Sequence, residues 1–340
     1  KETADSNYWN NGRKIVTRSS TGLNKPFQWG TIGSGHQTAI GDEATLDFIR
    51  GDRSNEKENL VVDGDYDEAA PDPALVQYAC GSKTGTMRAR NSIMGDVIHG
   101  KTVYVAGPPA DYTFDKYQEF KAAWTNRAPT VYVPANDGMV HAFNANTGEE
   151  VWAYIPSMVI PELKNLAKSP YYHRYLVDGG MTANDVKIGT AGTKNDWHTV
   201  LVGALGAGGK GLFALDVTDP TAFNETFAAA KIMWEITPSS TGYGDLGDTF
   251  SEPLIVRLNT DQWAVVVGNG YNSATGKAVL YLIDIKNGSL IKKLDAGNGN
   301  ATNPNGLSSP AAVDVDFDGK VDFVYAGDIL SLIHISEPTR

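Results

Sequence analysis

TVYVPANDGMVHAFNANTGEEVWAY, from Thr130 to Tyr154, carries the clearest fold signal in the chain. It reads as two short strands of β-branched and aromatic residues, parted by the turn Asn136-Asp137-Gly138, the second closing on Asn144. It can be laid over HTVLVGALGAGGKGLFALDVTDP (His198 to Pro220) and WAVVVGNGYNSATGKAVLYLIDIKNGSLIKKL (Trp263 to Leu294). Each copy has a strand, a Gly/Asn turn and a second strand ending in Asn or Asp. The closing residues Asn144, Asp216 and Asp284 stand 72 and 68 positions apart, and SSPAAVDVDFDGKVDFVYAGD opens a fourth unit at Ser308. That pitch exceeds the roughly 40 to 50 residues of a compact propeller blade, so insertions lie between the units. Each unit has an apolar face it cannot bury alone, and radial stacking of four-stranded blades solves that problem. The expected fold class is all-β, a β-propeller with inserted helices and loops; a sandwich built from similar hairpins is the alternative.

Outward from the repeat, the first ~100 residues are polar and irregular. A helix is expected from His36 to Ile49, where Ile40, Ala44 and Phe48 recur every four residues, and a second from Asp115 to Trp124, with Tyr117, Phe120 and Trp124 on a packing face. The chain thus divides into an N-terminal flanking region (1–100), a propeller (101–329) and a terminal stretch (330–340). That stretch, LSLIHISEPTR, resembles the translation of a transposon-based sequencing adapter at all eleven residues and is expected to be an artefact outside the fold. As a natural segment, its SLIHI run would read as a strand. The opening Lys1-Glu2-Thr3-Ala4-Asp5 is neither an initiator Met nor a signal peptide, so an internal fragment is expected.

The 340 residues carry 40 acidic and 29 basic side chains, a formal net charge of −11. This excess repels the phosphates of nucleic acid, and cations are the expected guests. No run approaches the ~18 apolar residues of a membrane span. The single Cys80 cannot form an intrachain disulfide or a CxxC site. The densest chemistry is Asp314-Val-Asp316-Phe-Asp318-Gly319-Lys320-Val-Asp322. Carboxylates at positions 1, 3, 5 and 9, Gly at 6 and a backbone carbonyl at 7 (Lys320) reproduce most of an EF-hand loop, the hard oxygen cage that Ca2+ requires. Position 12 is Tyr325 in place of a bidentate Glu, so an affinity of roughly 10⁻⁶ to 10⁻³ M is expected. The flanking residues read as strands, which sets the loop between strands and not between helices.

Other patterns read as structure. Asp63 to Glu68 mimics the start of such a loop but has Glu68 at position 6 and Pro71 at position 9, and is expected to be an acidic turn. Gly206 to Gly211 matches G-x-G-x-x-G, yet a strand follows it and no phosphate-binding helix. In Arg50-Gly51-Asp52 the Gly is placed to cap a helix. His141 and His173 lie among strand and aromatic residues, as packing groups. HExxH and GxSxG are absent from the sequence, and no motif indicates an enzyme.

Nine ordered blocks resemble the C-terminal domain of the PilY-type type IV pilus biogenesis proteins, the tip-associated adhesins. They are PFQW (from Pro26), DFIRGDRSNE (Asp47), RARNSIMGDVIHGKTVYVAGPP (Arg88), VYVPANDGMVHAFNANTGEEVWAYIPS (Val131), YYHRYLVDGG (Tyr171), GGKGLFALDVTDP (Gly208), LGDTFSEPLIVRL (Leu246), WAVVVGNGYNS (Trp263) and DVDFDGKVDFVYAGD (Asp314). The resemblance implies a modified quinoprotein-like β-propeller, truncated at its C-terminal end, with calcium held by Asp314, Asp316, Asp318, the Lys320 carbonyl and Asp322. It further implies fimbrium biogenesis, control of pilus extension and retraction and hence twitching motility, and cell adhesion to host or abiotic surfaces. The implied partners are minor pilins and the pilus assembly machinery. The implied location is the cell surface at the pilus tip, reached through the periplasm and outer membrane. Two other readings are a quinoprotein-type dehydrogenase, which commonly uses a vicinal disulfide that one Cys cannot form, and a calcium-stabilised surface propeller for an unrelated ligand such as a glycan.

Overall fold

The computed structural model describes residues 8–57, 59–62, 77–80, 85–222 and 224–336. Strands hold 30% of the described residues and helices 16%, which settles the all-β class. The first sheet is an antiparallel meander of Val103–Val105, Thr130–Pro134, Val140–Asn144 and Glu150–Ile155. The second is Met181–Lys187, Trp197–Ala204, Leu212–Asp216 and Ile232–Ile236, and the third is Leu254–Arg257, Trp263–Gly268, Val279–Asp284 and Leu290–Asp295. Ala311–Val313, Phe323–Gly327 and Ile333–Ser336 form a fourth.

The repeat has a local cause. Asn144, Asp216 and Asp284 each end the third strand of a blade, and each side chain accepts the N–H two residues on, from Asn146 at 2.9 Å, Thr218 at 3.0 Å and Lys286 at 2.8 Å. Short Asn and Asp side chains fold back on the backbone this way more strongly than Ser or Thr. In all three blades the register slips just before that residue, at Ala142/Phe143, Ala214/Leu215 and Leu282/Ile283. A bulge at a fixed place sharpens the strand twist and aims the turn alike in every blade.

Burial shows how the blades stack. Along Trp263–Gly268 every residue is buried: Val265 and Val267 pack with Val200, Val202 and Trp234 of the second blade, while Ala264 and Val266 pack with Val324 and Ala326 of the fourth. Alternate side chains point to opposite faces of a strand, so each inner blade is covered on both sides by its sequence neighbours. The sheets do not close a ring. Helix Tyr117–Trp124 plugs the second and third blades: Tyr117 and Phe120 are buried, and the Tyr117 ring sits edge-on to Trp197 at 4.7 Å.

The N-terminal segment is built into the first blade. Ile15–Arg18 pairs in parallel with Glu150–Ile155 and is followed by antiparallel Asn24–Pro26. A buried charge network secures it. The Arg13 guanidinium grips Glu150 with two bonds, Nε to Oε2 at 2.7 Å and Nη2 to Oε1 at 2.8 Å, and donates a third to the Arg50 carbonyl at 2.7 Å. His141 Nδ1 meets Glu150 Oε1 at 2.6 Å and its Nε2 meets Asp137 Oδ2 at 3.0 Å. Burial alone would pull the imidazolium down, but Asp137 and Glu150 outweigh it and raise His141 to about 9. Burial pushes the Glu150 carboxyl up, and Arg13 and His141 overcome that and hold it far below the usual carboxylate range.

One expectation needs correction. The helix from His36 to Ile49 is two, Ser34–Ile40 and Glu43–Arg50. Gly41 at φ 108° breaks it, and the Asp42 carboxylate caps the second helix by accepting the Thr45 N–H at 2.7 Å. Within the stretch 330–340, Ile333–Ser336 pairs with Phe323–Gly327. A short apolar run beside an open sheet edge finds backbone partners there whatever its origin.

Other readings hold. Gly51 (φ 121°) caps its helix through its N–H to the Asp47 carbonyl. Arg50 points inward, 1% exposed, toward the Phe27 carbonyl and Glu225. Gly206–Gly208 is a single turn followed by strand Leu212–Asp216. His141 stacks on Phe143 as read, whereas His173 is exposed and outside any strand, edge-on to Tyr175 and bonded to Asp96. The stretch Asp63 to Glu68 lies outside the described residues.

Candidate metal centre

The acidic loop joins Ala311–Val313 to Phe323–Gly327, the first hairpin of the fourth sheet. The Asp322 N–H donates to the Val313 carbonyl at 2.9 Å and closes the loop at its base. Inside it, the Asp314 carboxylate accepts the N–H groups of Phe317 at 2.7 Å and Gly319 at 2.8 Å, and Asp322 Oδ2 accepts that of Val315 at 2.8 Å. These bonds curl the chain around its own carboxylates. Gly319 has φ 82°, which glycine adopts at least cost, and Phe317 takes φ 62° with its ring 90% exposed.

The curl brings together Asp314, Asp316 and Asp322, which can each offer an oxygen within 4.8 Å of the other two. Among the described residues no other trio of His, Cys, Asp and Glu side chains converges in this way. Three like charges at that spacing repel by about 1 kcal/mol per pair even in the dielectric of water. The donors are all carboxylate oxygens, the set that suits a hard divalent cation. A span of 4.8 Å is about twice a calcium–oxygen distance, so the three oxygens fit around a single ion.

Asp318 stands outside the trio: its Oδ1 accepts the Lys320 N–H at 2.8 Å. The Lys320 side chain leaves the loop and its ammonium meets Asp261 at 3.0 Å; that bond, with help from Arg257, holds the Asp261 carboxyl below its ordinary range. Next to it, the Val321 N–H donates to the Arg257 carbonyl at 2.8 Å. The loop is therefore tied to the third blade at its Leu254–Arg257 strand and the turn that follows. Asp261 and Arg257 were missed by sequence reasoning, because nothing local links positions about sixty residues apart.

A family model described as the PilY1 beta-propeller domain matches residues 91–334. The chain is 38% identical to the type IV pilus biogenesis factor PilY1 of Pseudomonas aeruginosa strain PAK, over 94% of this chain and 26% of that one. It is 37% identical to a PilY1 homolog of Xylella fastidiosa strain Temecula1, over 87% of this chain and 22% of that one. In three dimensions it is similar to the crystal structure of the Pseudomonas aeruginosa PilY1 C-terminal domain, with a TM-score of 0.52 and 42% identity over 64% of this chain and 40% of that one. It thus spans 26% or less of the length of these two curated relatives. No helix among the described residues is long and apolar enough to cross a membrane.

Proposed function

The chain belongs to the PilY1 β-propeller family, and from that membership we propose that it serves type IV pilus biogenesis as the calcium-binding propeller of a surface protein. The observation that carries the calcium reading is the convergence of Asp314, Asp316 and Asp322 in a loop pinned to two neighbouring blades. Calcium supplies the positive charge that three clustered carboxylates lack. Asp314, Asp316 and Asp322 hold it, with Asp318 and the Lys320 carbonyl completing the cage. Lys320 and Val321 pass the state of the loop to the third blade through Asp261 and the Arg257 carbonyl. A filled loop keeps the fourth sheet against the third; an emptied one loosens that seam through carboxylate repulsion. In a pilus-tip adhesin this seam is the lever by which calcium sets pilus extension against retraction, and hence twitching and attachment to host or abiotic surfaces. Minor pilins and the assembly machinery are the partners that read it.

Asp322→Asn tests the proposal, because the amide oxygen still accepts the Val315 N–H while the charge is lost. Calorimetry should show calcium affinity falling at least about tenfold, and a strain carrying the substitution in the full-length parent should twitch abnormally. Unchanged calcium binding would remove Asp322 from the cage; weakened binding with normal twitching would separate the metal from motility.

A further inference from the structure

A cleft of about 370 Å³ lies on the first blade, where the loop 88–96 crosses the Asn136-Asp137 turn. Its inner wall is apolar, formed by the buried side chains of Phe48, Ile49 and Leu166. Two other lining residues present donors with nothing to receive them. Asn136 is 2% exposed, and its Oδ1 accepts the Leu176 N–H at 3.0 Å, which fixes the amide orientation and leaves Nδ2 buried without a partner. A buried donor left in this way is costly, and native structures keep few of them.

Arg88 is the second. Its backbone N–H donates to the Ala167 carbonyl at 3.0 Å, its Nε to the Leu166 carbonyl at 2.6 Å, and its guanidinium lies over the Tyr171 ring, 3.7 Å from the centroid. Backbone, Nε and flat face are thus engaged, and among the described residues neither Nη has a hydrogen-bond partner. The other charged groups of the lining are occupied: Arg90 by Glu56, Asp137 by His141, and Asp96 by His173. Arg88 is the charged group there with donors to spare.

We propose that this cleft binds a compact carboxylate, which no feature of the acidic loop requires. The free edge of a stacked guanidinium matches the two oxygens of a carboxylate. Asn136 Nδ2 donates to the same ligand, and Phe48, Ile49 and Leu166 cover its body. A monoanion fits better than a phosphate dianion, because Asp96 and Asp137 also face the cleft and their field opposes a second negative charge. Two sources share this chemistry, an acidic sugar and an acidic amino-acid side chain.

The 340-residue chain can be titrated by calorimetry with glucuronate and with N-acetylaspartate amide, against their neutral counterparts glucose and N-acetylasparagine amide. One acid should saturate the protein at millimolar concentration or below while its neutral counterpart does not, and the acid that binds identifies the source. Arg88→Gln and Asn136→Asp should each weaken it by about tenfold or more; Asp at 136 keeps the acceptor for the Leu176 N–H, and circular dichroism checks that the fold is retained. Arg88→Lys keeps the charge and loses the fork, and should fall between. Saturation by neither acid, equal binding of the neutral counterparts, or undiminished affinity in all three variants with parental circular dichroism overturns the assignment.

Discussion

Replacing His141 by Gln should make the stability of this protein insensitive to a proton that it now depends on. His141 is 1% exposed and sits between two carboxylates, 3.0 Å from Asp137 and 2.6 Å from Glu150. Its folded value of about 9 lies well above the ordinary 6.5, a difference worth about 3 kcal/mol. Because the folded value is the higher one, this stabilisation is fully present below about pH 6.5 and is lost as pH rises through about 9. Glu150 and Asp137 behave oppositely: held below their ordinary values, they contribute above about pH 4 and lose that contribution only as acid reaches their depressed values. Gln cannot carry charge, so near neutrality the variant should be less stable by about 3 kcal/mol, the size expected when a buried pair loses one partner. Urea unfolding of both proteins at a series of pH values checks this. The gap should close to about 1 kcal/mol or less by about pH 10. A gap that stays constant from neutral to alkaline pH would show that His141 is uncharged in the folded state and refute the reasoning.

Three further outcomes follow from the same geometry. Arg50→Ala removes the group that serves the Phe27 carbonyl and Glu225, and should cost about 3–5 kcal/mol in thermal or urea unfolding; a parental melting midpoint would mean that Arg50 faces solvent. Asp42→Ala strips the cap from helix Glu43–Arg50 and should cost about 1 kcal/mol, while Asp42→Asn keeps an acceptor for the Thr45 N–H and should cost less. Gly319→Ala meets no atom within 4 Å but must adopt φ 82°, so about 1 kcal/mol of backbone strain should register as weaker calcium binding in calorimetry, with global unfolding little changed.

What could be read from the sequence was what is local. Asn144, Asp216 and Asp284 betray the blades because each closes a turn with its own side chain, a bond that spans two residues. The carboxylate spacing from Asp314 to Asp322 betrays the loop for the same reason, although Asp318 turns to the Lys320 N–H in place of the trio. The break at Gly41 was open to reading, since Gly followed by Asp is a helix stop and then a cap; the four-residue spacing of Ile40, Ala44 and Phe48 concealed it. What depended on distant partners was invisible. The strand Ile15–Arg18 has four residues and a partner about 140 positions away. Arg88 and Asn136 are ordinary polar residues until a loop and a blade turn are laid against the same cleft.

The parallel strand Ile15–Arg18 has a colloidal consequence. Without it, Glu150–Ile155 would present its outer row of backbone N–H and C=O groups, a template on which a second molecule can extend the sheet. With it, the sheet instead ends on that side at Asn24–Pro26, three residues long and finishing in a proline that has no N–H to offer. The segment therefore protects against chain-to-chain aggregation as well as bracing the blade. Cutting it away should yield a protein that clumps as concentration rises even where the remaining blades stay folded.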